Sequence, residues 1–164
     1  MNATASEIIS TIGRETFDSC YSFGIVRNPW DWQVSLYRFA LETVMGLPRT
    51  TAYVRGLAPE RRTYSKLKSF DDYIRWRCTE DVHLQKEFLF ADDGQQLVTF
   101  IGKYERLDED FREICGAIGI DASLPRLNES AGRTSYQEHY TPETIELVRE
   151  AFAEDVELFG YEFE

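Results

Sequence analysis

The sequence predicts an α/β domain with a small, mainly parallel sheet in which helix outweighs strand. Three observations carry this. Residues Tyr21–Arg27 and Leu97–Ile101 are short, apolar and β-branched, the composition of buried strands. The segments around them repeat apolar residues at spacings of three and four, as helices do when one face packs inward. Strands separated by helices are joined by crossovers and so lie parallel.

The 164 residues suit a single domain, and 43% apolar with 14% aromatic content is enough for a core of its own. A net charge of −11 argues against nucleic acid or anionic membrane as a general partner, while leaving room for a local anion site. No apolar run approaches the roughly 18 residues of a membrane span. The N-terminal stretch has no basic region followed by an apolar core, so no signal peptide is read and a cytoplasmic location is expected. Cys20, Cys78 and Cys115 are far apart and form no CxxC pair, which reads as free thiols in a reducing compartment. Two histidines, His83 and His139, without metal-ligand spacing give no zinc site, and no metal is expected. The sequons at Asn2 and Asn128 are read as chance matches.

In chain order, residues 5–18 predict a short helix with Ile8, Ile9 and Ile12 on one side. The strand at 21–27 follows. Asn28 is a helix cap and Pro29 suits the first helical position. Trp30, Val34, Tyr37, Leu41 and Val44 then form one helical face, ending near Gly46-Leu-Pro48. Residues 47–68 carry six basic side chains against Glu60 alone. They are either a solvated loop or short helix, or a surface facing an anionic ligand or acceptor. Ser69 caps a helix running through Tyr73, Ile74 and Trp76. Asp92-Asp-Gly94 is a turn, so Phe88-Leu-Phe90 is expected to pair with the strand at 97–101 as a hairpin arm. Asp108 is expected to cap the next helix, with Phe111, Ile114, Cys115 and Ile118 inward and Gly119 as its stop. Residues 121–140 read as loop. Thr141 and Pro142 open a last helix with Ile145, Val148, Phe152 and Val156 as its buried stripe, and residues 159–163 close the chain as a short extended tail.

One stretch concentrates the chemistry. The first strand delivers Arg27 at its carboxyl end, and the next helix begins two residues later, so free N–H groups and a positive dipole end face the same region. That is an anion site at the edge where α/β sheets bind ligands. Ser35, two turns on, adds a hydroxyl, and a guanidinium with a hydroxyl suits a phosphate. The alternative is structural: Arg27 pairs with Asp31, and Ser35 back-bonds within its helix.

The residues Ile25-Val-Arg27-Asn-Pro29-Trp-Asp and Ser35-Leu-Tyr37 resemble the 3′-phosphate-binding strand and helix of sulfotransferases, enzymes that move a sulfonate group from 3′-phosphoadenosine 5′-phosphosulfate (PAPS) to an acceptor hydroxyl or amine. Arg27, Pro29 and Ser35 meet the family's spacing. Residues 92–111 resemble its later strand and "Tyr-Glu-x-Leu" turn. Leu124-Pro-Arg-Leu-Asn128-Glu-Ser130 resembles its "Leu-Pro-x-x-Asn-x-Ser" loop, and residues 140–163 resemble its C-terminal helix ending in "Asp-x-x-x-Phe-Gly-Tyr". The flavour is that of the carbohydrate and bacterial branch.

The resemblance implies a P-loop-NTPase-like sulfotransferase fold over residues 1–164, PAPS as sulfonate donor, and a glycan or other hydroxyl acceptor. Arg27 and Ser35 would hold the 3′-phosphate. Asn128 and Ser130 lie in the loop that approaches the nucleotide in relatives, and Arg133 follows it within reach of a phosphate. Glu105 is read as orienting the turn before its helix, and Gln85 is set against a glutamine found in this region of relatives. The departure is at the front. Relatives begin with a strand, a Gly-rich phosphosulfate loop carrying a lysine, and a helix, whereas this chain has no lysine before Lys66 and only Gly13 ahead of its first strand. Where many relatives carry a histidine that could act as base, Asn2 stands, and an amide accepts no proton near neutral pH. The expectation is a fold truncated at its N-terminus, catalytically incomplete, with an exposed sheet edge that a second copy covers. Neither His83 nor His139 is assigned as a base. Two other readings stand beside this one: a non-catalytic binding or oligomerisation module derived from the same fold, and a relic of another P-loop transferase or kinase.

Overall fold

The computed structural model describes residues 3–45, 67–125 and 135–164. They form two compact units. The first comprises Met1–Asn28, His83–Arg133 and Glu157–Phe159; the second comprises Pro29–Val82, Thr134–Val156 and Gly160–Glu164.

The first unit opens with helices α1 (Ala5–Ile12) and α2 (Arg14–Asp18). Thr4 and Glu7 close a reciprocal capping box at the start of α1, which satisfies two backbone donors that a helix start leaves unpaired. The single helix expected over 5–18 is instead broken at Gly13, whose φ of +86° lies in a region that L side chains rarely adopt. Ile8 and Ile12 are exposed, and the burial is at Ala5 and Phe17.

Strand β1 (Phe23–Val26) pairs in parallel with β2 (Phe100–Lys103), Phe23 lying opposite Phe100 and Val26 opposite Lys103. The parallel pairing agrees with the sequence reading, but β2 starts three residues later than expected. Thr99 donates its main-chain N–H to the Ser22 carbonyl, and Ser22 and Thr99 hydroxyls lie against each other, so residues 97–99 serve as the lead-in. β1 is not wholly buried: Val26 is, whereas Phe23 is 48% and Ile25 37% exposed. The hairpin expected at 88–101 shrinks to one antiparallel bridge, Phe90 to Gln96, behind a turn at residues 91–94. Phe88, expected to open the strand arm, instead ends a 3-10 turn, Gln85–Phe88.

A second 3-10 turn, Tyr104–Arg106, leads from β2 into α5 (Leu107–Ile118), counting the helix over residues 70–80 described below as α4. Asp108 lies inside the first turn of α5 instead of capping it, and Gly119 ends the helix as expected. Ile114 and Cys115 are buried and Ile118 is exposed. Asp110 is the unexpected core residue. It accepts the Lys103 main-chain N–H and lies 3.4 Å from the Arg106 guanidinium, so its buried charge is compensated. It can sit so close to β2 because position 102 is glycine.

The second unit contains α3 (Pro29–Met45), α4 (Phe70–Glu80), a 3-10 turn Tyr136–His139, α6 (Pro142–Ala151), and the start of α7 (Ala153–Phe159). Trp30 and Val34 are buried as their spacing predicts. Ser69 caps α4 by accepting the Asp72 N–H at 3.1 Å, also as expected. The last helix is two: α6 stops at Phe152 (φ −112°, ψ 25°), which with Val148 is fully buried. Trp30 is the centre of this core. Its indole N–H donates to the Ile145 carbonyl, its own carbonyl accepts the Tyr140 hydroxyl, and the Phe163 ring packs edge-on at 5.7 Å. Burial pushes the Tyr140 phenol above its ordinary pKa, which favours its neutral, donating form.

The closeness of α5 to β2 can be measured. A Cβ on Gly102 would lie 2.7 Å from Ile25 Cδ1 and 3.0 Å from Asp110 Cβ. Gly102→Ala is therefore expected to destabilise the protein by about 1–3 kcal/mol in urea unfolding, against a small effect for Gly116→Ala, where no atom lies within 4 Å.

Candidate functional site

Arg27 and Asn28 link the end of β1 to the start of α3. Arg27 is beyond the last ladder pair, yet its main chain is held. Its N–H donates to Gln85 Oε1 at 2.8 Å, and its carbonyl accepts Gln85 Nε2 at 2.8 Å. The next N–H, that of Asn28, donates to Glu105 Oε1 at 2.6 Å. The guanidinium carbon of Arg27 sits 4.2 Å from the centre of the Tyr104 ring, in the geometry of a cation–π contact. Arg27 is thus a positioned cation at the carboxyl end of a parallel strand. Glu105 does not simply orient the turn before α5: its carboxylate reaches across to the residue that precedes α3.

Ser35 lies on the second turn of α3 and is half-buried. Arg27 falls in the first unit and Ser35 in the second. Asn128, Ser130 and Arg133 lie outside the described residues, as do Asn2 and most of the basic segment 47–68. Among the described residues no group of His, Cys, Asp and Glu is arranged to hold a metal ion.

Three further side chains of the second unit can be weighed for acid–base, nucleophilic or charge-stabilising work. Cys78 is half-buried and its thiol is pushed up to about 11 by burial, which makes it a poor nucleophile near neutral pH. Arg77 is buried and paired to Asp81 at 2.6 Å; its Nε and the Tyr73 hydroxyl both donate to Gln33 Oε1, a polar cluster that orients α3 against α4. His139 has its Nε2 at 3.1 Å from Arg38 Nη2, and since a guanidinium only donates, this nitrogen accepts. Its lone pair is occupied, so His139 is not placed as a general base. Sequence reasoning missed Gln85 and Tyr104 as partners of Arg27, because they come from positions 58 and 77 residues away and carry no local signal of that role.

Burial and the neighbouring Arg38 cation hold the His139 pKa below the usual histidine value, opposed by Glu138. An unfolded histidine titrates near ~6.5, so below that pH the unfolded chain takes up a proton that the folded one resists. Stability is expected to fall as pH drops through this window, and to recover as it rises above it. His139→Gln removes this contribution: urea midpoints at about pH 7.5 and about pH 5.5 should lie closer together than in the wild type.

Residues 2–162 match a family model described as the Sulfotransferase family. No curated protein and no solved structure matches the chain. The family match spans nearly the whole sequence, including the strand-end arginine, the helix that follows and the turn that carries Tyr104 and Glu105: the chain belongs to the sulfotransferase family.

Proposed function

We propose that the chain binds the 3′-phosphate end of PAPS in the transfer of a sulfonate group to an acceptor hydroxyl, most naturally on a carbohydrate. The observation that carries this reading is Arg27, a guanidinium at the carboxyl end of β1 whose main chain is pinned by Gln85 and whose guanidinium carbon lies 4.2 Å from the centre of the Tyr104 ring. Ligands of α/β sheets collect at that edge. The Ser35 hydroxyl would add a second donor to the same phosphate, and charge-assisted bonds from a guanidinium and a hydroxyl suit its tetrahedral oxygens. Asn128, Ser130 and Arg133 would complete the nucleotide contacts.

In the reaction, the acceptor oxygen forms a bond to sulfur as the bond from sulfur to the 5′-phosphate oxygen breaks. The acceptor proton passes to a base, and 3′-phosphoadenosine 5′-phosphate leaves. The protein's share is positioning and charge stabilisation. In this reading the fold is P-loop-like. Residues 1–164 hold no Gly-rich loop with a lysine ahead of β1, so the chain by itself is expected to bind the nucleotide without turning PAPS over.

Calorimetric titration tests the binding. 3′-Phosphoadenosine 5′-phosphate should bind saturably, adenosine 5′-monophosphate at least roughly tenfold more weakly, and Arg27→Ala should lose about the same factor for the first ligand alone. Equal binding of the two nucleotides, or none in a folded chain, overturns the reading.

A second reading, the oligomerisation module, is favoured by one observation. Among the described residues β1 is paired on one edge only, with Phe23 and Ile25 partly exposed beside it. An open strand edge with apolar side chains is a template for another chain. We propose that a second copy covers it. Light scattering after size exclusion should give a mass above 19.1 kDa that Phe23→Lys lowers; a clean monomer at high concentration refutes it.

A further inference from the structure

We infer that Gln85 and Tyr104 are positioning residues that present the Arg27 guanidinium in one orientation; the inference rests on the reading of Arg27 as the anion-binding residue. The starting point is the register. Phe23 lies opposite Phe100 and Val26 opposite Lys103. Continuing the two strands by one and two residues sets Arg27 beside Tyr104 and Asn28 beside Glu105, and these are the contacts observed. The sheet thus extends past its last backbone pair through side chains.

Arg27 would otherwise be a loop residue. In extended backbone the N–H and C=O of one residue point the same way, so a partner must offer an acceptor and a donor side by side. A carboxamide does this, whereas a carboxylate offers acceptors only and an ammonium donors only. Gln85 meets both groups of Arg27 at 2.8 Å, and being only 9% exposed it has little water to fall back on. The amide orientation follows from the chemistry, because the oxygen must face the Arg27 N–H. The side chain of Arg27 is then set by Tyr104. The guanidinium carbon lies 4.2 Å from the ring centre, and the N–H bonds of a guanidinium lie in its own plane, the direction in which a phosphate is met. Arginine is rich in rotamers, and a side chain already ordered loses less freedom when it binds. Gln85 fixes where the arginine starts, and Tyr104 fixes where it ends.

The test combines NMR with calorimetry on the full chain. In the wild type the Arg27 amide should exchange about 100-fold more slowly than an unprotected peptide, and the Arg27 side-chain protons should be shifted upfield by the Tyr104 ring. Gln85→Ala should abolish the amide protection while Val26 and Lys103 keep theirs. Tyr104→Leu should abolish the upfield shift, and Tyr104→Phe should retain it. With 3′-phosphoadenosine 5′-phosphate as the probe, Gln85→Ala and Tyr104→Leu should weaken binding by roughly 5- to 20-fold and Tyr104→Phe by less than about twofold, with adenosine 5′-monophosphate little changed throughout. A merely structural role would lower the melting temperature and leave the ratio between the two nucleotides alone. If the wild type binds through Arg27 and the variants bind equally well, the inference is overturned and the function stands. If the wild type binds neither nucleotide, the function fails, and the inference is decided by the exchange and shift data: an Arg27 amide as protected in Gln85→Ala as in the wild type, or an unshifted side chain in the wild type, ends it.

Discussion

Two strands with one register organise the contacts around Arg27. Four residues of β1 run beside four of β2, and that offset decides which side chains meet beyond the ladder. Neither Arg27 nor Asn28 belongs to the sheet, but each finds its partner at the position the register assigns, Tyr104 and Glu105. A slip by one residue would invert every side chain of the strand and put a different pair at the strand end. The register in turn depends on what lies over it. Gly102 lets Asp110 descend from α5 to take the Lys103 N–H, which ties the end of β2 to the helix that follows. Lys103 is also anchored through its ammonium group to the Phe159 carbonyl at the end of α7. The carboxyl end of the strand pair is therefore held by several independent bonds, and its backbone has little freedom left.

The second unit solves a different problem. Its core is aromatic, and aromatic residues with polar tips need partners when buried. Trp30 and Tyr140 satisfy each other's neighbourhoods through main-chain bonds, and Phe163 from the tail closes the cluster against Trp30, Tyr136 and Tyr140. Gln33 and Arg77 add a buried polar contact that binds α3 to α4 by direction as well as by area. Removing one partner of such a cluster leaves the other desolvated, at about 1–3 kcal/mol for a neutral group and more for a charge. Arg77, bonded to Gln33, and His139, its ring 5.4 Å from that of Phe70, are parts of that packing.

Much of this was legible in advance for identifiable reasons. Local signals worked where the responsible forces are local. The Ser69 cap, the stop at Gly119, the helix opening at Pro29 and the buried pair Trp30 and Val34 all follow from a few neighbouring residues. The reading slipped where a longer-range contact outweighed the local pattern. Asp108 was expected as a cap, but the 3-10 turn at 104–106 moved the helix start so that Asp110 could be buried. Ile8, Ile12 and Ile118 have helical spacing and are still exposed, because amphipathic spacing says which residues share a face and not whether anything covers it. The helix expected from Thr141 onward broke at Phe152, a residue whose ring is wholly buried.

The same division holds for the site and the chain as a whole. The sequence by itself determined the family, the parallel strand pair, and the strand-end arginine followed at fixed spacing by proline and serine, because these depend on covalent order and on short-range propensity. It could not determine which distant residues would hold that arginine. A glutamine 58 residues away that matches both its main-chain groups, and a tyrosine one step past the second strand that receives its guanidinium, were decided only by the register of the folded sheet. Hydrogen bonds and ring contacts act over a few ångströms and carry no trace of sequence distance, so tertiary structure alone could bring those partners together.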